Sequence, residues 1–148
     1  MADTIFNQAK GAFAAWARLP AANDALIAVP IEASGLAAHA TLQDYDNLSV
    51  LLAASNNEQT SNGTRKTLAS VTVTVDDTNN RVDVDAADPV WTGLTGNALG
   101  AIIICYDSDT TGGTDANIDL VSVHDFAVTP DGTDVTAQIA SGGFARAS

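Results

Sequence analysis

The chain of 148 residues is poor in cysteine, aromatic residues and positive charge, and each shortage excludes a class of structure or function. Cys105 is the only cysteine, so no disulfide can form within the chain. Only 6 basic residues stand against 18 acidic ones, and the net charge of −12 excludes the broad basic footprint that holds nucleic acid and disfavours an anionic membrane surface. No apolar run is long enough for a membrane-spanning helix, and we expect no secretion signal.

The residues that are present predict one compact domain with two compositional parts. Hydrophobic residues make up 46% of the chain, which excludes disorder and allows a sizeable core. Of the 27 alanines, 14 lie in the first 40 residues. Between Asp76 and Asp134 there are 12 aspartates and a single basic residue, Arg81. We therefore divide the chain into an alanine-rich arm with a first strand (1–40) and an acidic β domain (41–148).

The first part carries the spacing of a helix followed by a strand. After the potential N-cap Asp3, apolar residues recur at helical spacing up to Pro20, namely at Ile5, Phe6, Ala9, Phe13 and Trp16. Gly11 weakens this helix. Its apolar face, with Phe6, Phe13 and Trp16, either packs on its own domain or docks on a neighbouring subunit. The run 24–32 predicts a strand, and Pro30 confines it to an edge or a strand end.

The second part begins with one more helix and then changes to the spacing of strands. Residues 42–54 predict a short helix capped by Asp44 or Asp46. Alternating valines on both sides of the turn 76–80 predict a β-hairpin with a valine face and a polar face. The continuous apolar run 99–106 predicts a central strand buried on both faces, and further strands are expected at 118–126 and 134–140. The predicted fold is mainly β, an antiparallel sandwich or small barrel.

Few side chains in this pattern suggest chemistry. Asp107, Asp109 and Asp115 lie in a loop that begins like a calcium-binding EF-hand, but Ile118 stands where a bidentate glutamate is required, so they are weak candidates and we expect no metal. His124 and Asp125 are adjacent, so they point to opposite faces of a strand and cannot form a dyad. A Ser–His–Asp set would have to be assembled from scattered residues. No catalytic motif is present, and we expect neither enzyme activity nor a cofactor.

Arg65 and Lys66 form the only adjacent basic pair. Two interpretations have equal weight. The pair lies in solvent at a strand end, or it contacts an acidic patch on another copy of this acidic protein. Cys105 lies within an apolar run, which indicates a small buried hydrophobe rather than a reactive thiol.

Several blocks of the sequence resemble a family of small virion proteins of tailed bacteriophages. The blocks that carry the resemblance are 5–10, 64–68, 71–83, 86–91, 100–107, 124–126 and 143–146. The resemblance implies a virion structural role, and the role that fits best is capsid decoration, also called cement. It further implies a trimer bound to the major capsid protein on the outside of the shell, made in the host cytoplasm and located in the virion. In this role we expect the N-terminal arm, including Phe6, Phe13 and Trp16, and the strand end at Arg65 and Lys66 to make the partner contacts.

Two alternatives to capsid decoration stay open at this point. A tail, baseplate or fibre-base component would have a similar sequence. A carbohydrate-binding or calcium-dependent adhesion module belongs to a different class and would need several exposed aromatic side chains as a sugar platform. Two tryptophans and two tyrosines, mostly near apolar blocks, argue against that class.

Overall fold

The computed structural model of the protein describes residues 3–147, which form ten strands, three short α-helices and two 3-10 turns. The strands are β1 (Thr4–Ile5), β2 (Ala25–Glu32), β3 (Lys66–Thr67), β4 (Thr72–Asp76), β5 (Arg81–Asp85), β6 (Val90–Trp91), β7 (Leu99–Asp107), β8 (Ile118–Val128), β9 (Val135–Thr136) and β10 (Ala145–Ala147). The helices are α1 (Phe13–Trp16), α2 (His39–Leu42) and α3 (Leu48–Ala53), and the 3-10 turns are Asn7–Gly11 and Asp115–Asn117.

A five-stranded antiparallel sheet, here called sheet A, forms the centre of the molecule in the order β1-β8-β7-β2-β3. The predicted central strand is confirmed. It is β7, whose residues 101–106 are all buried between β2 and β8. Both faces of a strand in this position need apolar side chains, which explains why the run lacks alternation. Ile103 lies between Val29 on one neighbour and Val123 on the other.

Because of Pro30, strand β2 was expected at a sheet edge or with the proline at a strand end. The edge prediction is wrong because β2 is an interior strand, and Pro30 is the sixth of its eight residues. β2 pairs with β7 along its whole length and with β3 at Ile27 and Ala28. Proline has no N–H to donate to a ladder. Beside Pro30 the regular partner strand is replaced by a loop, where the backbone N–H of Gln59 donates to the Pro30 carbonyl at 2.9 Å. An interior strand therefore tolerates the proline where its second neighbour is no longer a regular strand.

The predicted hairpin is confirmed as β4 and β5, with Asp76 opposite Arg81 across the turn. The C-terminal strand β10 adds to β5, which gives a three-stranded sheet B in the order β10-β5-β4. Strands β6 and β9 form a separate two-stranded sheet. The strand expected at 134–140 is only the two residues of β9, and neither β10 nor β1 was predicted.

The N-terminal residues do not form the long helix that their spacing predicts. Thr4 and Ile5 pair with Val123 and Ser122 of β8, and only Phe13–Trp16 is α-helical. Gly11 lies at the end of the 3-10 turn that separates the two pieces. Short helices depend on tertiary packing rather than on propensity, and here the sheet edge competes for the first residues.

The second predicted helix is also shorter than expected and has a different cap. Helix α3 begins at Leu48, and the side chain of Asn47 accepts a hydrogen bond from the backbone N–H of Val50 at 3.0 Å. Neither Asp44 nor Asp46 performs this role. The separate helix α2 lies before it in the chain.

Side chains from both compositional parts share one hydrophobic core. Phe6, Phe13 and Leu26 of the first part are buried together with Trp91 and Leu120 of the second. The fold is mainly β and antiparallel, as predicted, and no barrel closes within residues 3–147. None of the helices in this range is long and apolar enough to cross a membrane.

Candidate functional site

The most distinctive polar arrangement is a hydrogen-bonded chain of Ser122, His124 and Asp3. Ser122 and His124 are two residues apart on β8 and therefore project from the same face of the strand. The Ser122 Oγ lies 2.8 Å from His124 Nε2, and His124 Nδ1 lies 3.0 Å from an Asp3 carboxylate oxygen. The pairing of β1 with β8 brings Asp3 to this place, and its other oxygen accepts from the Asp125 backbone N–H at 3.2 Å.

The order of these three side chains is that of a hydrolase triad, but their surroundings differ from an active site. Ser122 is only 1% exposed. It lies in mid-strand between Ile5 of β1 and Ile104 of β7, where backbone N–H groups serve the sheet ladder. Acyl transfer needs an accessible nucleophile and free donors for the oxyanion. The arrangement suits a clamp that fixes the N-terminal strand to the sheet.

Asp125 takes a separate partner, as its position on the opposite face requires. It lies 3.1 Å from Nε2 of His39, a buried residue at the start of α2. The expectation that His124 and Asp125 do not form a dyad is therefore correct. Each of the two histidines pairs with a carboxylate that is distant in sequence, so adjacency gave no information about the partners.

A pocket of about 470 Å³ lies beside the His124–Asp3 pair. Ile102 and Ile104 of β7 line it, together with His124 and Phe126 of β8 and the C-terminal segment 137–146. The Phe144 ring meets the His124 ring edge to face, with 6.5 Å between the ring centres. The lining is mostly apolar, and of the polar groups that border it His124 and Asp3 are hydrogen-bonded to each other, so its geometry suits an apolar group.

Arg65 is held inside the molecule by two carboxylates. Its Nε and Nη2 donate to Glu58 at 2.8 and 2.7 Å, and its Nη1 and Nη2 donate to Asp115 at 2.7 and 3.1 Å. The hydrogen bonds to Glu58 and then to Asp115 raise the pKa of Arg65, and the hydrogen bond from Arg65 lowers the pKa of Asp115. This pairing uses the donors that a contact between Arg65 and another copy would need. Lys66 is half-buried in β3.

The aspartates considered for a cation serve other purposes. Asp115 binds Arg65, as just described. Asp107 accepts from the Asp109 backbone N–H at 3.0 Å, and Asp109 accepts from the backbone and side chain of Thr111 at 3.0 and 2.5 Å. These are the bonds of turns that Asp and Thr commonly make. Within residues 3–147, no three His, Cys, Asp or Glu side chains are grouped to hold a metal ion.

The aromatic side chains of the N-terminal part face inward. Phe6 and Phe13 are buried in the chain's own core, so of the two alternatives for this face the structure favours packing on the same domain. Trp16 is half-buried and stacks on Tyr106, with ring centres 5.6 Å apart and planes parallel within 2°. Burial, followed by the hydrogen bond that the Tyr106 hydroxyl donates to Asp24 at 2.8 Å, raises the pKa of Tyr106 to about 12.

Trp91 and Cys105 are both enclosed. Trp91 is fully buried, and its Nε1 donates to the Thr64 carbonyl at 2.8 Å. Cys105 is fully buried, which confirms the prediction of a buried hydrophobe, and this burial raises the pKa of its thiol. All eight aromatic side chains are buried or half-buried.

Comparisons of the chain with protein-family models, with curated proteins and with solved structures found no match.

Sequence reasoning missed Ser122 and Asp3. The Ser122–His124 spacing is visible in the sequence, since residues i and i+2 share a face of a strand. Asp3 was assigned to a helix cap, and only the pairing of residue 4 with residue 123 shows its role.

Proposed function

We propose that this chain is a non-enzymatic structural protein of a bacteriophage virion that decorates the outside of the capsid and stabilises it. The sequence blocks that resemble phage virion proteins support this proposal. The Ser122 hydroxyl is enclosed, and the His124 and Asp3 side chains that border the pocket of about 470 Å³ are hydrogen-bonded to each other. The partner is then the major capsid protein, and the chain binds it as a homotrimer at local threefold positions of the shell, as the resemblance implies.

The observation that carries the proposal is an exposed surface segment of low charge on a strongly acidic molecule. Residues 18–23 are all exposed, and Arg18 is the only charged residue among them. Leu19, the second residue of this segment, is 38% exposed. The first 40 residues carry a net charge of −1, whereas the whole chain carries −12. A surface that combines apolar side chains with low net charge is suited to contact a partner, and the acidic remainder keeps the protein soluble.

The residues on both sides of this segment are anchored to sheet A. Trp16 precedes the segment and is stacked on Tyr106 of the central strand β7. Asp24 follows it and accepts from both Tyr106 and the Ala21 backbone N–H, each at 2.8 Å. A contact made through residues 18–23 is therefore transmitted directly to sheet A. A module that binds only the assembled shell stabilises that shell by mass action.

Electron microscopy of the particle that contains this protein tests the proposal. We expect its density on the outside of the shell. Density confined to the tail would contradict decoration and favour a tail component.

Reconstitution on particles that lack the protein gives a second test. We expect Leu19→Glu to reduce binding at least ten-fold and Val50→Glu to leave it unchanged. Val50 is the matched control because it is an exposed apolar residue, 46% accessible, on helix α3. Equal binding by both variants would show that residues 18–23 do not contact the shell.

A further inference from the structure

Sheet B has two chemically distinct faces. Residues opposite each other across the three strands share a face. One face carries threonine, aspartate and arginine side chains, including the Arg146–Asp83 and Arg81–Asp76 ion pairs. The other face carries only valine and alanine. Its members are Val73, Val75, Val82, Val84, Ala145 and Ala147.

The apolar face is covered at only one end. The inner row, Val73–Val84–Ala145, packs against the core, where Val84 and Ala145 are buried. The outer row, Val75–Val82–Ala147, lies two residues further along each strand. Val75 is 55% exposed, the highest value among the large apolar side chains described. The hairpin thus projects an apolar row beyond the body that covers the rest of its face.

Strand β4 is also an open edge of this sheet. Its only partner within residues 3–147 is β5, and the pairing is regular, without a bulge. Every second residue of an edge strand directs its N–H and C=O away from the sheet. Natural edges are usually protected by lysine, proline or a bulge, and the sequence Thr72-Val73-Thr74-Val75-Asp76 contains none of these.

The sequence of β4 is complementary to itself when two copies run antiparallel around Thr74. Thr74 then faces Thr74 of the second copy, Val73 faces Val75, and Thr72 faces Asp76. The two valine pairs lie on the apolar face, and each threonine hydroxyl at the ends can donate to an aspartate. No charge stands directly opposite a like charge, which is the arrangement that stabilises cross-strand pairs.

We propose that β4 pairs with β4 of a second copy of this chain, around a twofold axis at Thr74, to join two sheets B into one of six strands. This contact does not depend on the proposed function in the virion. A second copy fits better than an extended segment of another protein, because the side chains needed opposite Val73, Val75 and Asp76 are those that β4 itself supplies. A contact of five residues per strand belongs to the class of small, weak interfaces. Each chain carries −12, so added salt strengthens the association.

Cysteine cross-linking tests the register of the pairing. In the proposed dimer the two Thr74 Cα atoms lie about 4.5–5.5 Å apart, within the range that a disulfide spans. The two Thr72 Cα atoms are offset by four residues and lie about 14 Å apart, which is too far. Under mild oxidation we expect Thr74→Cys to give a covalent dimer and Thr72→Cys to remain monomeric. The native Cys105 is buried and does not compete.

Sedimentation equilibrium tests the association without a cross-link, at concentrations up to about 1 mM because the interface is small. We expect a monomer–dimer equilibrium that Val75→Lys weakens at least ten-fold, while Val50→Lys, an equal change at an exposed valine elsewhere, leaves it unchanged. Thermal melting of both variants checks that they fold. A wild-type chain that stays monomeric at 1 mM would overturn the proposal, and so would a trimer in which Thr74→Cys fails to cross-link. Equal cross-linking of Thr72→Cys and Thr74→Cys would overturn it as well.

Discussion

Replacing Arg65 by methionine removes a cation that two carboxylates enclose from different parts of the chain. Glu58 belongs to the loop after α3, and Asp115 belongs to the 3-10 turn before β8. Methionine keeps most of the length of the side chain but none of its donors. The variant therefore leaves the Glu58 carboxylate, whose side chain is 13% exposed, without the guanidinium.

The expected loss of stability follows from the burial of the group. Removing one partner of a fully buried ion pair costs about 3–5 kcal/mol. The Arg65 side chain is 30% exposed, so solvent screens part of the interaction. We therefore expect Arg65→Met to lower the free energy of unfolding by about 2–3 kcal/mol, a decrease in Tm of about 5–10 °C for a domain of this size.

We compare four proteins by urea denaturation: the wild type, Arg65→Met, Arg18→Met and the double variant Glu58→Gln/Arg65→Met. The comparison separates the loss of the ion pairs from general effects of a substitution. Arg18→Met is the matched control, because Arg18 is on the exposed segment 18–23, and we expect its effect to stay within about 0.5 kcal/mol. The double variant Glu58→Gln/Arg65→Met should recover part of the loss, because it leaves no unpaired charge at Glu58. Equal stability of Arg65→Met and Arg18→Met would refute the reasoning.

The pH dependence gives a further check on the same variant. Arg65 lowers the pKa of Asp115 in the folded state. A carboxylate of this kind stabilises the fold above its unfolded pKa of about 3.9 and loses that contribution as the pH falls through the folded pKa. The difference in stability between wild type and Arg65→Met should be largest at neutral pH and shrink below about pH 4. A difference that grows with acidity would contradict the assignment.

Three other predictions concern the backbone, the thiol and the acidic loop. Gly143→Ala should destabilise the fold far more than the 1 kcal/mol or so expected for Gly132→Ala. Both glycines have positive φ, +81° for Gly143 and +87° for Gly132. A Cβ at Gly143 would collide with the Val84 carbonyl, whereas Gly132 faces open space. Similar urea midpoints for the two variants would contradict this prediction. Cys105 should react with a thiol reagent only after unfolding, and rapid labelling of the native protein would show that it is accessible. Thermal melting with and without millimolar Ca²⁺ should give the same Tm, and an increase with Ca²⁺ would mean that Asp107, Asp109 and Asp115 rearrange to bind it.

Local patterns in the sequence predicted the elements whose stability is local. The hairpin β4–β5 follows from alternating valines around a polar turn, and β7 follows from a short run without polar residues. The strand β2 was predicted, but its position inside the sheet was not. Beside Pro30 a loop takes the place of a regular neighbouring strand, and the loop residue that bonds to Pro30, Gln59, is distant in sequence. Two-residue strands such as β1 carry too little pattern to be recognised.

The candidate site was less predictable than the fold. Arg65 was noted for its charge, but its two acceptors lie 7 and 50 residues away. His124 was noted beside Asp125, yet it pairs with Asp3, 121 residues away. Residue spacing reports which side chains share a face of one element, but it does not report which strands become neighbours.

The order of strands in sheet A sets the timing of folding during synthesis. Strand β2 ends at Glu32, but its main partner β7 begins only at Leu99, about 70 residues later. At translation rates of about 5–20 residues per second, the apolar stretch 25–31 is synthesised roughly 3–13 s before synthesis of β7 begins. The N-terminal strand β1 waits longer still, for β8. The sheet is therefore completed at the end of synthesis, and a nascent chain that stalls between residues 32 and 99 exposes its most apolar early strand to chaperones and to aggregation.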